Sequence, residues 1–198
     1  MAKLFVAFNF SSQGLMSRKI TGFRKRFDPK YNHYSFPHMS MLAPFEVSED
    51  LLGDLIETLK EETETFYFGN KSLPNLSFSG LGIYEHKKRN MLYLNPIYGT
   101  DLQHCSDMVV DICKSFIAKN IKYKENKNQF LPLGVFHNIN ELQIVLEQAK
   151  LEFASNTPLS IDSISIYQSK MGIWFEKEIL IDFEENKNQL LQLNQRCI

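Results

Sequence analysis

The chain has 198 residues, of which 43% are hydrophobic and 23% charged, a composition typical of a globular protein with one domain or two small lobes. Its 22 basic and 23 acidic side chains leave a net charge of -1, which excludes a protein that coats nucleic acid through bulk positive charge. No apolar run approaches the roughly 20 residues that span a bilayer, so we expect a cytoplasmic protein without membrane contact.

The first segment of the chain predicts a strand followed by a basic helix. Alternating apolar residues over 4–10 predict the strand. Ser11 or Ser12 can cap a helix that runs to about Phe27 and ends before Pro29. The polar side of this helix is the densest basic stretch of the chain and holds Arg18, Lys19, Arg24, Lys25 and Arg26. This stretch is either a solvated helix face or a phosphate-binding surface, for which Arg24 and Lys25 are the candidate substrate-binding residues.

The rest of the chain alternates predicted strands with predicted helices. Strands are predicted at residues 36–42, 66–84, 90–95, 130–136, 160–168 and 172–183. Helices are predicted after the cap Ser48, over residues 101–118, and after the cap Asn138, where Glu141 stands at capping-box spacing. Residues 184–198 form a polar tail that is predicted to be a frayed helix or disordered.

Two strand–helix segments of the chain resemble each other, which predicts two similar halves. One contains Pro37-His38-Met39-Ser40-Met41 and the other Pro132-Leu133-Gly134-Val135-Phe136, and a predicted helix follows each. The first segment carries the pattern His-x-Ser, whereas Leu133 and Val135 occupy the corresponding positions of the second.

The chemistry of His-x-Ser depends on strand geometry. Residues i and i+2 of a strand project from one face about 6.6 Å apart, so His38 and Ser40 can meet the same ligand. A neutral imidazole transfers protons, and a hydroxyl donates a hydrogen bond to a phosphate oxygen. Two such pairs across a cleft would place an acid and a base on opposite sides of a phosphorus atom. The alternative is a structural His38 that is hydrogen-bonded to a neighbouring backbone carbonyl.

The element order and the first motif resemble the 2H phosphoesterase superfamily, which includes the LigT-like 2′-5′ RNA ligases and the 2′,3′-cyclic phosphodiesterases. The segments Phe23-Arg24-Lys25-Arg26-Phe27-Asp28-Pro29-Lys30-Tyr31 and Phe36-Pro37-His38-Met39-Ser40-Met41 are similar to those of the bacterial YjcG-like members in particular. The resemblance covers about residues 3–183, nearly the whole chain.

This resemblance implies an α+β fold of two pseudo-symmetric lobes, with mostly antiparallel sheet around a central cleft and helices packed outside. Residues 1–183 would form this single domain. It also implies a monomer that needs no metal or cofactor and acts on RNA ends or small nucleotides. In the family, two His exchange protons with the attacking and leaving oxygens while Ser or Thr hydroxyls hold the phosphate, which assigns His38 and Ser40 to catalysis.

The second motif departs from the family pattern, because Leu133 and Val135 replace the expected His and Thr or Ser. His137 is a candidate catalytic replacement, although four strand residues displace it by about 13 Å from Leu133, beyond hydrogen-bond reach unless a bulge intervenes. His137 is otherwise a polar residue at a strand end, and His33 is the other available imidazole. Because losing one acid or base costs about 10²–10⁴ in rate, we expect the activity to be impaired.

Three aromatic residues, Tyr34, Tyr167 and Trp174, are candidates for substrate binding, because aromatic faces stack on any nucleobase. Their alternative role is half-buried packing. The three cysteines are interpreted as reduced thiols of a cytoplasmic protein. No metal site is expected, since neighbouring helical residues such as His104 and Cys105 point about 100° apart.

The sequence is compatible with three functions. The first is a 2H-type phosphoesterase that acts on 2′,3′-cyclic phosphates or 2′-5′ linkages with one intact motif. The second is a catalytically inactive protein that binds a nucleotide or an RNA end. The third is a protein-interaction or unrelated small-molecule module on the same fold, since fold alone does not determine function.

Overall fold

A computed structural model of the chain describes residues 1–10, 14–31, 37–70, 75–85, 89–97, 99–117, 129–154 and 158–183. The polar tail predicted for residues 184–198 therefore lies outside the described residues. No helix within the described ranges is long and apolar enough to cross a membrane.

The described residues form four α-helices and eight strands. The helices are α1 (Leu15–Phe27), α2 (Leu52–Asn70), α3 (Thr100–Phe116) and α4 (Ile139–Glu152), and a 3-10 turn over Glu49–Leu51 precedes α2. The strands are β1 (Ala2–Phe10), β2 (His38–Ser40), β3 (Phe45–Val47), β4 (Asn75–Tyr84), β5 (Asn90–Ile97), β6 (Leu131–Phe136), β7 (Leu159–Lys170) and β8 (Ile173–Asp182).

All eight strands belong to one curled antiparallel sheet in the order β2-β1-β7-β4-β5-β6, with β3 also paired to β1 and β8 to β7. Within the described ranges, β4 joins β7 through the pairs Asn75↔Ser160 and Leu76↔Leu159. The curl brings the two ends of this order together: the Gln129 amide, just before β6, donates to the Met41 carbonyl just after β2 at 2.7 Å. The predicted α+β class with mostly antiparallel sheet is confirmed.

The core lies between one face of this sheet and the helices. In β1 the alternating residues Leu4, Val6, Phe8 and Phe10 are all buried, as the apolar alternation predicts. Helix α1 buries Met16, Ile20 and Phe23 at spacings of four and three, which is the period of a helix with one apolar side. Because strand residues alternate, Phe5, Ala7 and Asn9 of β1 lie on the opposite face of the sheet.

The strand predicted over residues 66–84 is wrong in its first part, because α2 continues to Asn70 and β4 begins at Asn75. The aromatic residues Phe66 and Tyr67 favour a strand by propensity. However, Tyr67 continues a helical period of four, whose buried positions are Leu55, Leu59, Thr63 and Tyr67. Packing of this stripe overrides the local preference of the aromatic residues.

The helix starts agree only partly with the predicted caps. Asn138 caps α4 as predicted, since its side chain accepts a hydrogen bond from the Asn140 backbone at 2.8 Å. The Ser48 hydroxyl instead donates to the Asp50 carboxylate and makes no hydrogen bond to a helix backbone amide. The caps proposed for α1, Ser11 and Ser12, lie outside the described residues, and the helix follows Gly14.

Candidate functional site

The His-x-Ser motif forms the short strand β2 at the end of the sheet. His38 pairs with Asn9 and Ser40 pairs with Ala7 of β1. Met39 between them is fully buried, whereas His38 and Ser40 are half-buried. The two functional side chains therefore share the side of the sheet opposite Met39, and we call this side the His38 face.

Strands β1 and β7 extend the His38 face beyond β2. The cross-strand pairs Phe5↔Tyr167, Ala7↔Ser165 and Asn9↔Ser163 place these six side chains on the same side, because partners in an antiparallel ladder share a face. Glu176 of β8 pairs with Tyr167 and so continues the row. The surface is aromatic at one end and polar at the other.

The aromatic end is a cluster centred on Phe5. Its ring stacks on Tyr167 with centroids 4.7 Å apart and on His38 at 5.5 Å. The indole of Trp174 meets the same ring edge-on at 4.7 Å. The structure thus brings together His38, Tyr167 and Trp174, three of the residues selected from the sequence.

The polar end is a hydrogen-bond network around the Asn9 side chain. Its Nδ2 donates to Ser163 Oγ at 3.1 Å and to Ser165 Oγ at 2.8 Å. Its Oδ1 accepts from the Tyr167 hydroxyl at 2.8 Å. Both serines are buried, so the network holds the Asn9 amide in one orientation beside its ladder partner His38.

Glu176 adds a carboxylate to this network. Its Oε1 lies 3.4 Å from Asn9 Nδ2 and 3.5 Å from the Tyr167 hydroxyl. Burial of Tyr167, and then the negative charge of Glu176, raise the pKa of the Tyr167 hydroxyl well above its usual range. Tyr167 therefore stays protonated and remains a hydrogen-bond donor at all physiological pH values.

The second motif is built differently, because β6 contains a bulge. The pairing changes register between Leu92↔Gly134 and Tyr93↔Pro132, which leaves Leu133 without a ladder partner. Leu133 is fully buried in the hydrophobic core. The sequence spacing predicted that Leu133 and Val135 lie on the same face of the strand. The bulge puts them on different faces: Leu133 faces the core, and Val135 lies on the same face as its partner Met91.

Arg24 lies at the outer edge of β6 rather than on an exposed helix surface. Its guanidinium is 3.4 Å from the Asp28 carboxylate, and the two side chains are only 13% and 5% exposed. Asp28 also accepts a hydrogen bond from the Val135 backbone at 3.3 Å. The neighbouring Lys25 is exposed on α1.

The remaining candidates are placed as follows. His137 is exposed, directly after β6 and before the cap Asn138. His33 and Tyr34 lie outside the described residues. Among the residues that are described, no three His, Cys, Asp or Glu side chains are grouped to hold a metal ion.

Sequence reasoning missed Phe5, Asn9 and Glu176. Phe5 and Asn9 alternate with the apolar residues of the first strand, so the strand period itself places them on the opposite face. That signal marks them as candidates once His38 is assigned to the neighbouring strand. Nothing local marks Glu176, because its position depends on the register between β7 and β8.

No protein-family model and no curated protein sequence matches the chain. Several solved structures, however, are similar to it in fold. Usb1 of Kluyveromyces marxianus, solved with uridine monophosphate, is 14% identical, with a TM-score of 0.50 over 88% of this chain and 97% of Usb1. LigT of E. coli, solved with 3′-AMP, is 13% identical, with a TM-score of 0.50 over 90% of this chain and 96% of LigT. The chain shares their fold.

The likeness to LigT and Usb1 agrees with the fold that the sequence resemblance implied. It spans nearly all of each solved chain, so the shared fold comprises both the β1–β2–β7–β8 part and the β4–β5–β6 part of the sheet. At these identities the comparison defines the fold only.

Proposed function

We propose that this chain is a 2H-type phosphoesterase that binds RNA ends or small nucleotides and hydrolyses 2′,3′-cyclic phosphates at the His38 face. The observation that carries this proposal is the common placement of His38 and Ser40 on one strand face beside an aromatic cluster. The solved LigT and Usb1 structures contain nucleotides, 3′-AMP and uridine monophosphate, which supports a nucleotide ligand for the same fold.

Each group on this face has a chemical role in the proposal. His38 exchanges a proton with an oxygen of the phosphodiester, as a neutral or protonated imidazole can. The Ser40 hydroxyl donates a hydrogen bond to a phosphate oxygen. Trp174 is 37% exposed, and with Tyr167 it offers an aromatic surface on which a base can stack.

The direct test is turnover of RNA that ends in a 2′,3′-cyclic phosphate. His38→Ala should lower kcat about 10²–10⁴-fold, because the proton-transferring group is lost. His104→Ala is the matched control, since this imidazole is exposed on α3. Equal rates for wild type and His38→Ala would contradict the proposal.

His137 and Lys25 belong in the same assay as further candidate site residues. A loss with His137→Ala comparable to that with His38→Ala would mean that this imidazole takes part in the reaction. A raised KM with unchanged kcat for Lys25→Ala would assign the exposed lysine to binding of the nucleic-acid backbone. Wild-type values for both variants would restrict the site to the His38 face.

A second candidate function is nucleotide binding without turnover. It is favoured by the second motif, in which Leu133 is buried in the core and neither Gly134 nor Val135 can transfer a proton. Saturable binding of 3′-AMP by a wild-type protein that turns over neither cyclic phosphates nor 2′-5′ linkages would support it. Turnover that depends on His38 would exclude it.

A further inference from the structure

We propose that Glu176 is the second proton-transferring group of the site and acts with His38 from the same half of the sheet. This inference rests on the proposed phosphoesterase function. It assigns to β8 the role that an imidazole on the second motif strand would otherwise have.

The reaction requires two such groups. In-line displacement at phosphorus needs one group that takes a proton from the attacking oxygen and another that gives a proton to the leaving oxygen. The second motif offers Leu133, Gly134 and Val135, none of which ionises. A complete site therefore needs a titratable group from elsewhere in the fold.

Glu176 is a carboxylate that the structure holds beside Asn9 and Tyr167, the neighbours of His38 on the His38 face. Asn9 is the direct ladder partner of His38, and Glu176 Oε1 lies 3.4 Å from Asn9 Nδ2. The rings of His38 and Tyr167 are 6.1 Å apart, and the Tyr167 hydroxyl is 3.5 Å from the same Oε1. The imidazole and the carboxylate thus flank Asn9 on one face of the sheet.

The surroundings of Glu176 place its carboxylate at the edge of the Asn9 network and leave it exposed. One carboxylate oxygen lies 3.4 Å from Asn9 Nδ2 and 3.5 Å from the Tyr167 hydroxyl, while the shorter hydrogen bonds of these two groups go to Ser163, Ser165 and Asn9 Oδ1. Glu176 itself is exposed, so water and a phosphodiester can reach it. An accessible carboxylate can take a proton from water as a general base.

The proton and bond changes balance in this arrangement. In the hydrolysis of a 2′,3′-cyclic phosphate, the Glu176 carboxylate takes a proton from water as the water oxygen bonds to phosphorus. The bond from phosphorus to one ribose oxygen breaks, and that oxygen takes a proton from the His38 imidazolium. The products are a phosphomonoester and a ribose hydroxyl, and solvent returns the proton from Glu176 to His38.

Glu178 provides a matched control on the same strand. It pairs with Ile166, whose side chain is fully buried in the core, whereas Glu176 pairs with Tyr167 of the His38 face. The Glu178 carboxylate therefore points to the helix side, where it forms an ion pair with Lys60 of α2. Glu178→Gln therefore measures the effect of removing one negative charge from β8 on the face opposite the His38 face.

The experiment measures hydrolysis of 2′,3′-cyclic AMP by wild type, Glu176→Gln, Glu178→Gln and His38→Ala. We expect kcat to fall about 10²–10⁴-fold for Glu176→Gln and His38→Ala and to stay at the wild-type value for Glu178→Gln. Added formate should restore part of the turnover of Glu176→Ala.

The outcomes separate this inference from the proposed function. A wild-type rate for Glu176→Gln together with an inactive His38→Ala would overturn the role of Glu176 and leave the phosphoesterase in place. No turnover in wild type would overturn both. A Glu176→Gln variant that loses 3′-AMP binding, or a Glu176→Ala variant that formate does not restore, would assign Glu176 to structure and overturn its role in proton transfer.

Discussion

Asn9 is the residue that connects the two chemical ends of the His38 face. Its amide group is bonded to both buried serines, while its carbonyl oxygen accepts the Tyr167 hydroxyl. An amide can do this because it has two donor hydrogens and an acceptor oxygen. The position of the Tyr167 ring, and of the aromatic cluster around Phe5, is thereby coupled to a single side chain of β1.

Replacing Asn9 by Ala should therefore destabilise the fold. The hydroxyls of Ser163, Ser165 and Tyr167 would lose their partner, and one buried polar group without a hydrogen bond costs about 1–3 kcal/mol. Asn75→Ala is the control, because Asn75 is an exposed strand residue whose side chain contacts Ser160. Urea unfolding measures both, and equal free energies of unfolding for the two variants would contradict this account of the network.

The buried thiols of α3 should be chemically inert in the folded chain. Burial raises the pKa of Cys105 from 9.0 to about 12 and raises the pKa of Cys113 further. In a Cys197→Ser variant we expect no reaction with a thiol reagent at pH 8 until the protein is unfolded, and then reaction of two thiols. Fast labelling of the native protein would show that α3 opens readily.

The same thiols predict a loss of stability at alkaline pH. The folded chain keeps protons that the unfolded chain releases above pH 9, so their contribution is complete below pH 9 and declines as the pH rises toward 12. The free energy of unfolding should therefore decrease with pH in this window. A Cys105→Ala variant should show a smaller decrease than wild type.

The residue scale also shows how far the sequence determines the site. His38 and Ser40 were predictable because i and i+2 on a strand share a face, whatever the rest of the fold does. Glu176 was not, because it reaches Asn9 only through the pairing of β7 with both β1 and β8. The roles assigned to His38, Ser40 and Glu176 stay predictions until turnover is measured.

Helix α1 is linked to strand β6, at the edge of the sheet, through the Asp28 side chain. Asp28 follows the helix and accepts backbone hydrogen bonds from Lys30 at 3.1 Å and from Val135 at 3.3 Å, while it pairs with Arg24. A backbone amide on the outer side of an edge strand thereby has a carboxylate as its hydrogen-bond partner. Pro29 favours the extended backbone that Asp28 adopts, so the helix ends before this residue.

We expect Asp28→Ala to lower the free energy of unfolding by about 1.5–3 kcal/mol, because the Arg24 guanidinium and the Val135 amide each lose a hydrogen bond to this carboxylate. Asp111→Ala is the control, since its surface pair with Lys114 has a carboxylate that is 78% exposed. Adding Arg24→Met to Asp28→Ala should recover part of the loss. A strictly additive double variant would show that the ion pair contributes nothing.

The ends of a helix or strand were predicted correctly where a single hydrophobic period dominated the sequence. The helix near residues 101–118 was predicted almost to its observed ends at Thr100–Phe116, since its apolar stripe is regular. The end of α2 was missed because aromatic residues favour strands locally while tertiary packing selects the helix. The bulge in β6 was missed because an extra residue in a ladder is visible only when the partner strand is known.

At the scale of the whole molecule, the candidate site residues are concentrated in one part of the sheet. Strands β1, β2, β7 and β8 carry the imidazole, hydroxyls, carboxylate and aromatic rings, whereas the β6 motif contributes buried and apolar residues. The curled sheet still brings β6 close to β2 through Gln129. The α+β class was predictable from the order of the elements. The concentration of the candidate residues on β1, β2, β7 and β8 became visible only from the observed register of these strands.

Trp174 allows the central claim, that the His38 face binds the nucleotide, to be tested in one titration. It is the single tryptophan of the chain and lies edge-on to Phe5 in the aromatic cluster. We predict that 3′-AMP quenches its fluorescence saturably, with weaker binding for Ser40→Ala and unchanged binding for the control His104→Ala. A fluorescence signal that does not respond to 3′-AMP, or an equal affinity of Ser40→Ala and wild type, would contradict the assignment of this face as the nucleotide site.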